Sequence, residues 1–234
     1  MYATDLAHAH DAGFSSFAAK SAPAVARLLR GHRDVVELGC GSGVLAAYLT
    51  ARRHRYVGID ISPAMVRLAR ARAPGGRFKV ASIGNAALPV CDAIVALGEV
   101  VTYVPGGLPA LARFFRRAHR ALRPGGLLVF DFMASARGRT YAPRLVFGDG
   151  WTLEVAARVD RGSRVLTRDI RILRRVGRTV RASRETHRIH IYDRTSLTAA
   201  LRRSGFAVAL RRSLGPNRLL PGDVAVIARK MPRI

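Results

Sequence analysis

The sequence predicts an α/β protein: a doubly wound, mostly parallel sheet of seven strands carrying an inserted antiparallel β cap. Three patterns predict it. The first two-thirds of the chain alternates short β-branched runs with helical stretches, as βαβ units do. Several of those runs are continuously apolar, among them Val35-Val36, Ala93-Ile94-Val95-Ala96-Leu97 and Leu127-Leu128-Val129-Phe130, which suits strands covered by helices on both faces. From about Leu145 to Tyr192 the pattern changes to strict polar–apolar alternation, the signature of half-buried antiparallel strands.

Each element follows from local chemistry. Asp34 to Leu38 reads as the first strand, Val44 to Arg53 as a helix and Tyr56 to Asp60 as the second strand. Ser62 to Arg72 reads as a helix, with Ser62 as N-cap and Pro63 at the first helical position, where its missing N–H is no loss. Strands follow over Arg77–Ala81 and Ala93–Leu97, then a helix from about Leu108 to Leu122, whose Leu111, Phe114, Phe115 and Leu122 face the core. The turn Arg123-Pro124-Gly125-Gly126 leads into a fifth strand, Leu127 to Phe132. In the alternating segment, Gly148-Asp149-Gly150, Arg161-Gly162-Ser163 and Val176-Gly177-Arg178 read as hairpin turns. Along its last strand, His190 and Tyr192 share a face while His187 points to the other. The end returns to the first pattern, with a helix from Arg194 to Ser204, a Gly205 stop and strands over Ala207–Arg212 and Asp223–Ala228. The expected division is a leading segment over 1–30, an α/β domain over 31–144 and 193–234, and the antiparallel insertion over 145–192.

Composition narrows the class. A chain of 234 residues can bury a core without disulfides or metals, and no run of about 18 apolar residues is present to span a bilayer. The start, Met1-Tyr2-Ala3-Thr4-Asp5-Leu6-Ala7-His8, lacks the basic and apolar regions of a signal peptide, so a cytoplasmic location is expected. Cys40 and Cys91 fall in buried stretches and read as reduced thiols. His8, His10 and Asp11 read as surface groups, and no metal is expected. The net charge of +25 is almost all arginine, since Lys20, Lys79 and Lys230 are the only lysines. That load reads first as a bias spread over the surface and second as a surface for RNA. The second reading requires Arg164, Arg168, Arg171, Arg174 and Arg181 to form one face running into the pocket.

The motif with most chemical content is Glu37-Leu38-Gly39-Cys40-Gly41-Ser42-Gly43, where a buried strand ends in a carboxylate and three alternate glycines precede a helix. Glycines there let the backbone pass close to a ligand. The dinucleotide-binding pattern needs another glycine at position 44, where this chain has Val44. Further phrases accompany the loop: Gly58-Ile59-Asp60-Ile61-Ser62-Pro63-Ala64-Met65, Leu88-Pro89, and Leu122-Arg123-Pro124-Gly125-Gly126-Leu127. Together these residues resemble the class I S-adenosylmethionine-dependent methyltransferases, at least over 30–132 and more weakly to the end.

The resemblance implies a Rossmann-like sheet and S-adenosyl-L-methionine as cofactor. It implies cofactor contacts at Glu37, Gly39, Cys40, Gly41 and Gly43, with Asp60 accepting both ribose hydroxyls. The family often has an aspartate ahead of its Leu-Pro pair; here Ser82 and the Ile83 backbone take the adenine edge, with Ile61 and Ile83 on its faces. The Leu97 and Gly98 backbone approaches the methionine part, and Glu99 and Tyr103 face cofactor or substrate. Segment 1–30 is implied to be a helical lid that brings His10, Asp11 and Phe14 over the site, and the insertion is implied to cover the substrate. Methyl transfer demands alignment, with a base only where the nucleophile carries a proton. Glu99, Tyr103 and Asp131 are the expected catalytic residues, with His187 and Tyr192 as further candidates for the base. A small-molecule methyl acceptor is expected. An RNA methyltransferase, a non-catalytic cofactor-binding protein and a nicotinamide oxidoreductase are the competing readings, and oligomeric state is left open.

Overall fold

The computed structural model describes residues 3–137, 141–160, 162 and 164–231. In chain order the α/β part runs α1 (Thr4–Phe14), α2 (Ser16–Leu28), β1 (Asp34–Leu38), α3 (Val44–Thr50), β2 (Arg55–Asp60), α4 (Pro63–Arg72), β3 (Arg77–Val80), β4 (Cys91–Ala96), α5 (Gly107–Ala121) and β5 (Leu122–Met133). A short 3-10 turn, Val100–Tyr103, lies between β4 and α5. The insertion is β6 (Arg144–Gly148), β7 (Trp151–Asp160), β8 (Val165–Val176) and β9 (Thr179–His190). The chain ends with α6 (Arg194–Arg203), β10 (Phe206–Arg211), the small hairpin β11 (Ser213–Leu214) and β12 (Asn217–Arg218), and β13 (Asp223–Lys230).

The main sheet has the order β10-β13-β5-β4-β1-β2-β3. Strands β1 to β5 are parallel, and β13 enters antiparallel between β5 and β10. The expected seven-stranded, mostly parallel sheet is therefore observed. Its winding reverses between β1 and β4, so the loops after those strands diverge and leave a crevice at their carboxyl ends, where open α/β sheets bind ligands. Alternate residues of the strands feed two cores. Val36, Ile94, Phe130 and Phe132 pack with Leu111, Phe114 and Phe115 of α5 on one face; Val35, Val95 and Val129 pack with Val25, Leu45, Leu49 and Val66 from α2, α3 and α4 on the other.

The four strands of the insertion pair in sequence order, antiparallel throughout. The turns expected at Gly148-Asp149-Gly150 and Val176-Gly177-Arg178 connect them; of Arg161-Gly162-Ser163 only Gly162 lies within the described residues. Leu153, Ile170 and Ile172 on the inner face bury Leu6 and Ala9 of α1, while Leu166 and Ile189 pack near Met133 and Tyr103. Ala7 of the same helix packs on Ala64 and Met65 of α4.

The sequence reading needs two adjustments. The Arg123–Gly126 turn is absorbed into β5 as an irregularity, because Cys91 pairs with Leu122 and the next partner, Ala93, pairs with Leu127. Segment 1–30 also divides: α1 bridges the insertion and α4, whereas α2 contributes Ala22 and Val25 to the main core.

Candidate active site

The glycine bend is built by the strand next to it. Gly39 and Cys40 donate their N–H groups to the Ile59 carbonyl at the end of β2 (2.7 and 3.2 Å), and Gly43 N–H closes a turn on the Cys40 carbonyl (3.0 Å). All three glycines have positive φ: +67° at Gly39, +52° at Gly41 and +80° at Gly43. Two of them are glycine because of packing. A Cβ on Gly39 would overlap the Val100 side chain, and one on Gly43 would meet the Ala69 backbone at 2.8 Å. At Gly41 a Cβ would point into open space, and the same holds at Gly98 after β4 (φ +86°). Two left-handed glycines facing open space at the ends of neighbouring strands leave backbone accessible to a ligand.

Asp60 joins this bend to the second strand. Its Oδ2 accepts the Gly41 N–H at 2.9 Å and its Oδ1 the Ser62 N–H at 2.8 Å. Burial raises its carboxyl above the usual range, opposed by the N–H donors. Each oxygen retains a second lone pair for another donor. Ser62 caps α4 as expected, accepting the Met65 N–H. Beside Asp60, Ile61 is 49% exposed, far more than an isoleucine needs to be unless something covers it; Ser82 and Ile83 are half-buried just past β3.

Glu37 turns inward, where the Tyr56 hydroxyl donates to it. Burial pushes its carboxyl up to about 8. Cys40 is buried too, its thiol pushed far up by desolvation, so this residue can serve a ligand through its backbone alone.

On the other side of the crevice, Leu97 is buried and Gly98 exposed. Glu99 is buried and holds the left-handed conformation, φ +62°, unusual for a non-glycine residue. Asp131 holds it there: its two oxygens accept the Gly98 and Glu99 N–H groups at 2.7 and 2.9 Å. Asp131 is 1% exposed, and burial pushes its carboxyl up to about 7. Both oxygens of Asp131 thus face backbone, and Asp131 shapes the loop.

The Glu99 side chain meets Arg168 of β8 at 3.2 Å, an ion pair between the two sheets. Tyr103, pushed up to about 12 by burial, sits edge-on to His187 of β9 (centroids 5.9 Å apart). His187 Nε2 lies 3.0 Å from Glu185, whose other oxygen accepts the Ala3 N–H at 2.7 Å. His187 is buried on the inner face with Ile189, while Tyr192 lies in the main core against His190, as the alternation required.

Helix α1 lies across these groups. Asp5 pairs with Arg174 and Arg181 of the insertion, and burial lowers the His10 imidazole. Asp11 forms a two-pronged pair with Arg72 at 2.7 and 3.0 Å, which outweighs burial and holds its carboxyl low. Arg72 also donates to the Ser42 carbonyl (2.8 Å) and hydroxyl (2.6 Å), so α1 is tied directly to the glycine bend. Phe14 stacks on His10.

Sequence reasoning passed over Arg72, Glu185 and the inward-facing role of Arg168. Arg168 had a visible signal, because it falls in phase with Leu166, Ile170 and Ile172 on the apolar face of β8. A cation in that register requires a partner.

In comparison with known proteins, residues 36–130, about two-fifths of the chain, match the family model described as a methyltransferase domain. It is 38% identical over 98 residues to a trans-aconitate 2-methyltransferase of Rhodopseudomonas palustris, an alignment covering 41% of this chain and 37% of that one. The chain thus spans little more than a third of the relative's length. Among solved structures, an S-adenosylmethionine-dependent methyltransferase from Clostridium acetobutylicum superimposes with a TM-score of 0.81 at 16% identity, covering 97% of this chain and 98% of that one. A sugar N-methyltransferase from Streptoalloteichus superimposes with a TM-score of 0.79 at 22% identity, covering 99% and 94%. At those identities the likeness is one of fold. Among the described residues, no helix is long and apolar enough to cross a membrane.

Proposed function

We propose that the chain transfers the methyl group of S-adenosyl-L-methionine to a small-molecule acceptor by direct displacement. The observation that carries this is the contact between Gly41 and Asp60 beside the open space at Gly41 and Gly98. The adenosyl group would lie along that contact, with Asp60 accepting from the ribose hydroxyls. Ile61, Ser82 and Ile83 would border the adenine, and the backbone of Gly39, Cys40, Gly41, Gly43, Leu97 and Gly98 would follow the rest. Glu37 would support the bend from below rather than touch the ligand, given its burial against Tyr56. The cofactor supplies an electrophilic methyl carbon on a sulfonium. The protein supplies alignment and exclusion of water, with Glu99 and Tyr103 bordering the acceptor's side. The inserted sheet and α1 close that side, which favours an acceptor small enough to be enclosed.

Calorimetry tests this reading. S-adenosylmethionine should bind and NADH should not, and Asp60→Ala should weaken cofactor binding by about 1–3 kcal/mol through lost hydrogen bonds to a charged group. Unchanged affinity in that variant would contradict the ribose assignment. The RNA reading is not favoured, because the arginines it needs lie on both faces of the insertion: Arg168 and Arg174 are in phase with buried Ile170 and Ile172, whereas Arg171 is on the opposite face.

A further inference from the structure

The loop after β4 is built in a way that a simple strand ending does not require. Gly98 and Glu99 are both left-handed, with φ of +86° and +62°, and the second is a conformation that an L side chain disfavours. Successive left-handed residues turn successive N–H groups toward one point, which makes a small anion-binding nest. The anion in this nest is the Asp131 side chain: Oδ1 accepts from Gly98 at 2.7 Å and Oδ2 from Glu99 at 2.9 Å. Asp131 is buried, and its strand, β5, lies on the side of β4 away from β1.

Peptide geometry fixes the other half of each unit. A trans peptide directs its carbonyl opposite to its N–H, and none of the described peptide bonds is cis. The Gly98 N–H shares a unit with the Leu97 carbonyl, and the Glu99 N–H shares one with the Gly98 carbonyl. With both N–H groups drawn toward β5, the two carbonyls are turned away from it, to the side where β1 ends in the glycine bend. That side is open at Gly98, which is exposed and where an added Cβ would meet nothing within 4 Å.

Resting on the methyl-transfer reading above, we propose that Asp131 is a positioning residue that aims the Leu97 and Gly98 carbonyls at the ammonium of the cofactor's methionine arm. Carbonyl oxygens only accept and an ammonium only donates, so a pair of outward carbonyls takes the arm's cationic end and offers nothing to its carboxylate. The grip on two N–H groups also offsets the left-handed conformation of Glu99. The carbonyls are therefore preset before the ligand arrives, and little ordering is left to be done on binding. Asp131 has both oxygens on backbone, so it acts through the loop rather than on the reacting atoms.

The test is titration calorimetry of wild type and Asp131→Asn with two ligands, S-adenosylmethionine and an analogue lacking only its α-amino group. Wild type should bind S-adenosylmethionine at least about tenfold more tightly than the analogue, through hydrogen bonds from a charged donor. Asp131→Asn sets an amide NH₂ against one of the two N–H groups and should release the loop. Its affinity for S-adenosylmethionine should fall at least about tenfold, while its affinity for the analogue should stay within about twofold of wild type. A merely structural role would weaken both ligands alike, and that result overturns the proposal. Unchanged affinity for S-adenosylmethionine in the variant overturns it too, as does a wild type that binds both ligands equally well. Carbonyl-carbon NMR of wild type labelled at Leu97 and Gly98 gives a second readout: S-adenosylmethionine should move these resonances and the analogue should not, and equal shifts with the two ligands overturn the assignment. If Asp131→Asn does not fold, the same affinities are read in Asp131→Asn combined with Glu99→Gly, against Glu99→Gly alone, because glycine holds the left-handed conformation unaided. A wild type that binds neither ligand defeats the underlying methyl-transfer reading instead, and calorimetry alone reveals that case.

Discussion

Alanine at Gly43 and alanine at Gly41 should separate folding from binding. Both glycines have positive φ, so a Cβ at either costs about 1–2 kcal/mol of backbone strain. At Gly43 the Cβ would also come within 2.8 Å of the Ala69 Cα in α4. Main chain cannot give way as a side-chain tip can, and overpacking of that kind adds about 1–3 kcal/mol. Gly43→Ala should thus lose about 2–5 kcal/mol, or on the order of 4–20 °C in Tm for a chain of this length. Gly41→Ala meets nothing within 4 Å and should lose only the strain, about 2–8 °C. Its Cβ instead enters the space beside the Asp60 contact, so S-adenosylmethionine affinity should fall at least tenfold, about 1.4 kcal/mol. Thermal unfolding by circular dichroism and titration calorimetry give the two readouts. Gly41→Ala binding as wild type does would refute the placement of the ligand, and Gly43→Ala unfolding no earlier than Gly41→Ala would refute the packing argument.

Other consequences are equally direct. Glu37 is pushed up to about 8 by burial from a carboxylate's ordinary 4.5. Folding therefore takes up a proton between those values, and stability should fall as pH rises from about 4.5 to 8; denaturant titrations should show Glu37→Gln flattening that slope. Arg168→Met removes an ion pair from the buried Glu99 carboxylate and should cost about 1–3 kcal/mol, less than for a fully buried pair because Arg168 is 27% exposed. Adding Glu99→Gln should recover part of the loss in a double-mutant cycle. Asp11→Asn releases Arg72 from α1 while leaving its bonds to Ser42. Hydrogen exchange should then quicken along Thr4–Phe14 and remain unchanged in α2, whose contacts are to the main core.

Much of this architecture was legible because its signals are local. The Ser62-Pro63 start of α4, the apolar runs of β1, β4 and β5, and the phase change at the insertion each need only a few neighbouring residues to interpret. The glycine bend was legible for the same reason, although its three glycines prove to have different causes: Val100 at Gly39, open space at Gly41 and the α4 backbone at Gly43. What the sequence hid were contacts across long separations. The Asp131 carboxylate holds backbone more than 30 residues away, and nothing in its strand marks it as a loop anchor. Arg72 looks like an ordinary basic residue in the last turn of a helix; its bonds to Ser42 exist only once α4 packs beside the glycine bend, and its pair with Asp11 only once α1 folds over the sheet.

The arginine load shows the same division between composition and placement. As a total, +25 suggests a phosphate-binding surface. Placed on the strands, its members acquire separate tasks. Arg168 and Arg174 face inward and meet Glu99 and Asp5, joining the insertion to the β4 loop and to α1. Arg158 and Arg171 face outward and meet Asp169 and Glu154 of the same sheet. Neutralising the inward pair should therefore loosen closure over the crevice, whereas neutralising the outward pair should leave it intact. A polyanion surface predicts no such split, since every arginine removed would weaken binding alike. Cofactor affinity and α1 hydrogen exchange in Arg174→Gln and Arg171→Gln distinguish the two: equal effects from both variants would return the arginines to a collective role.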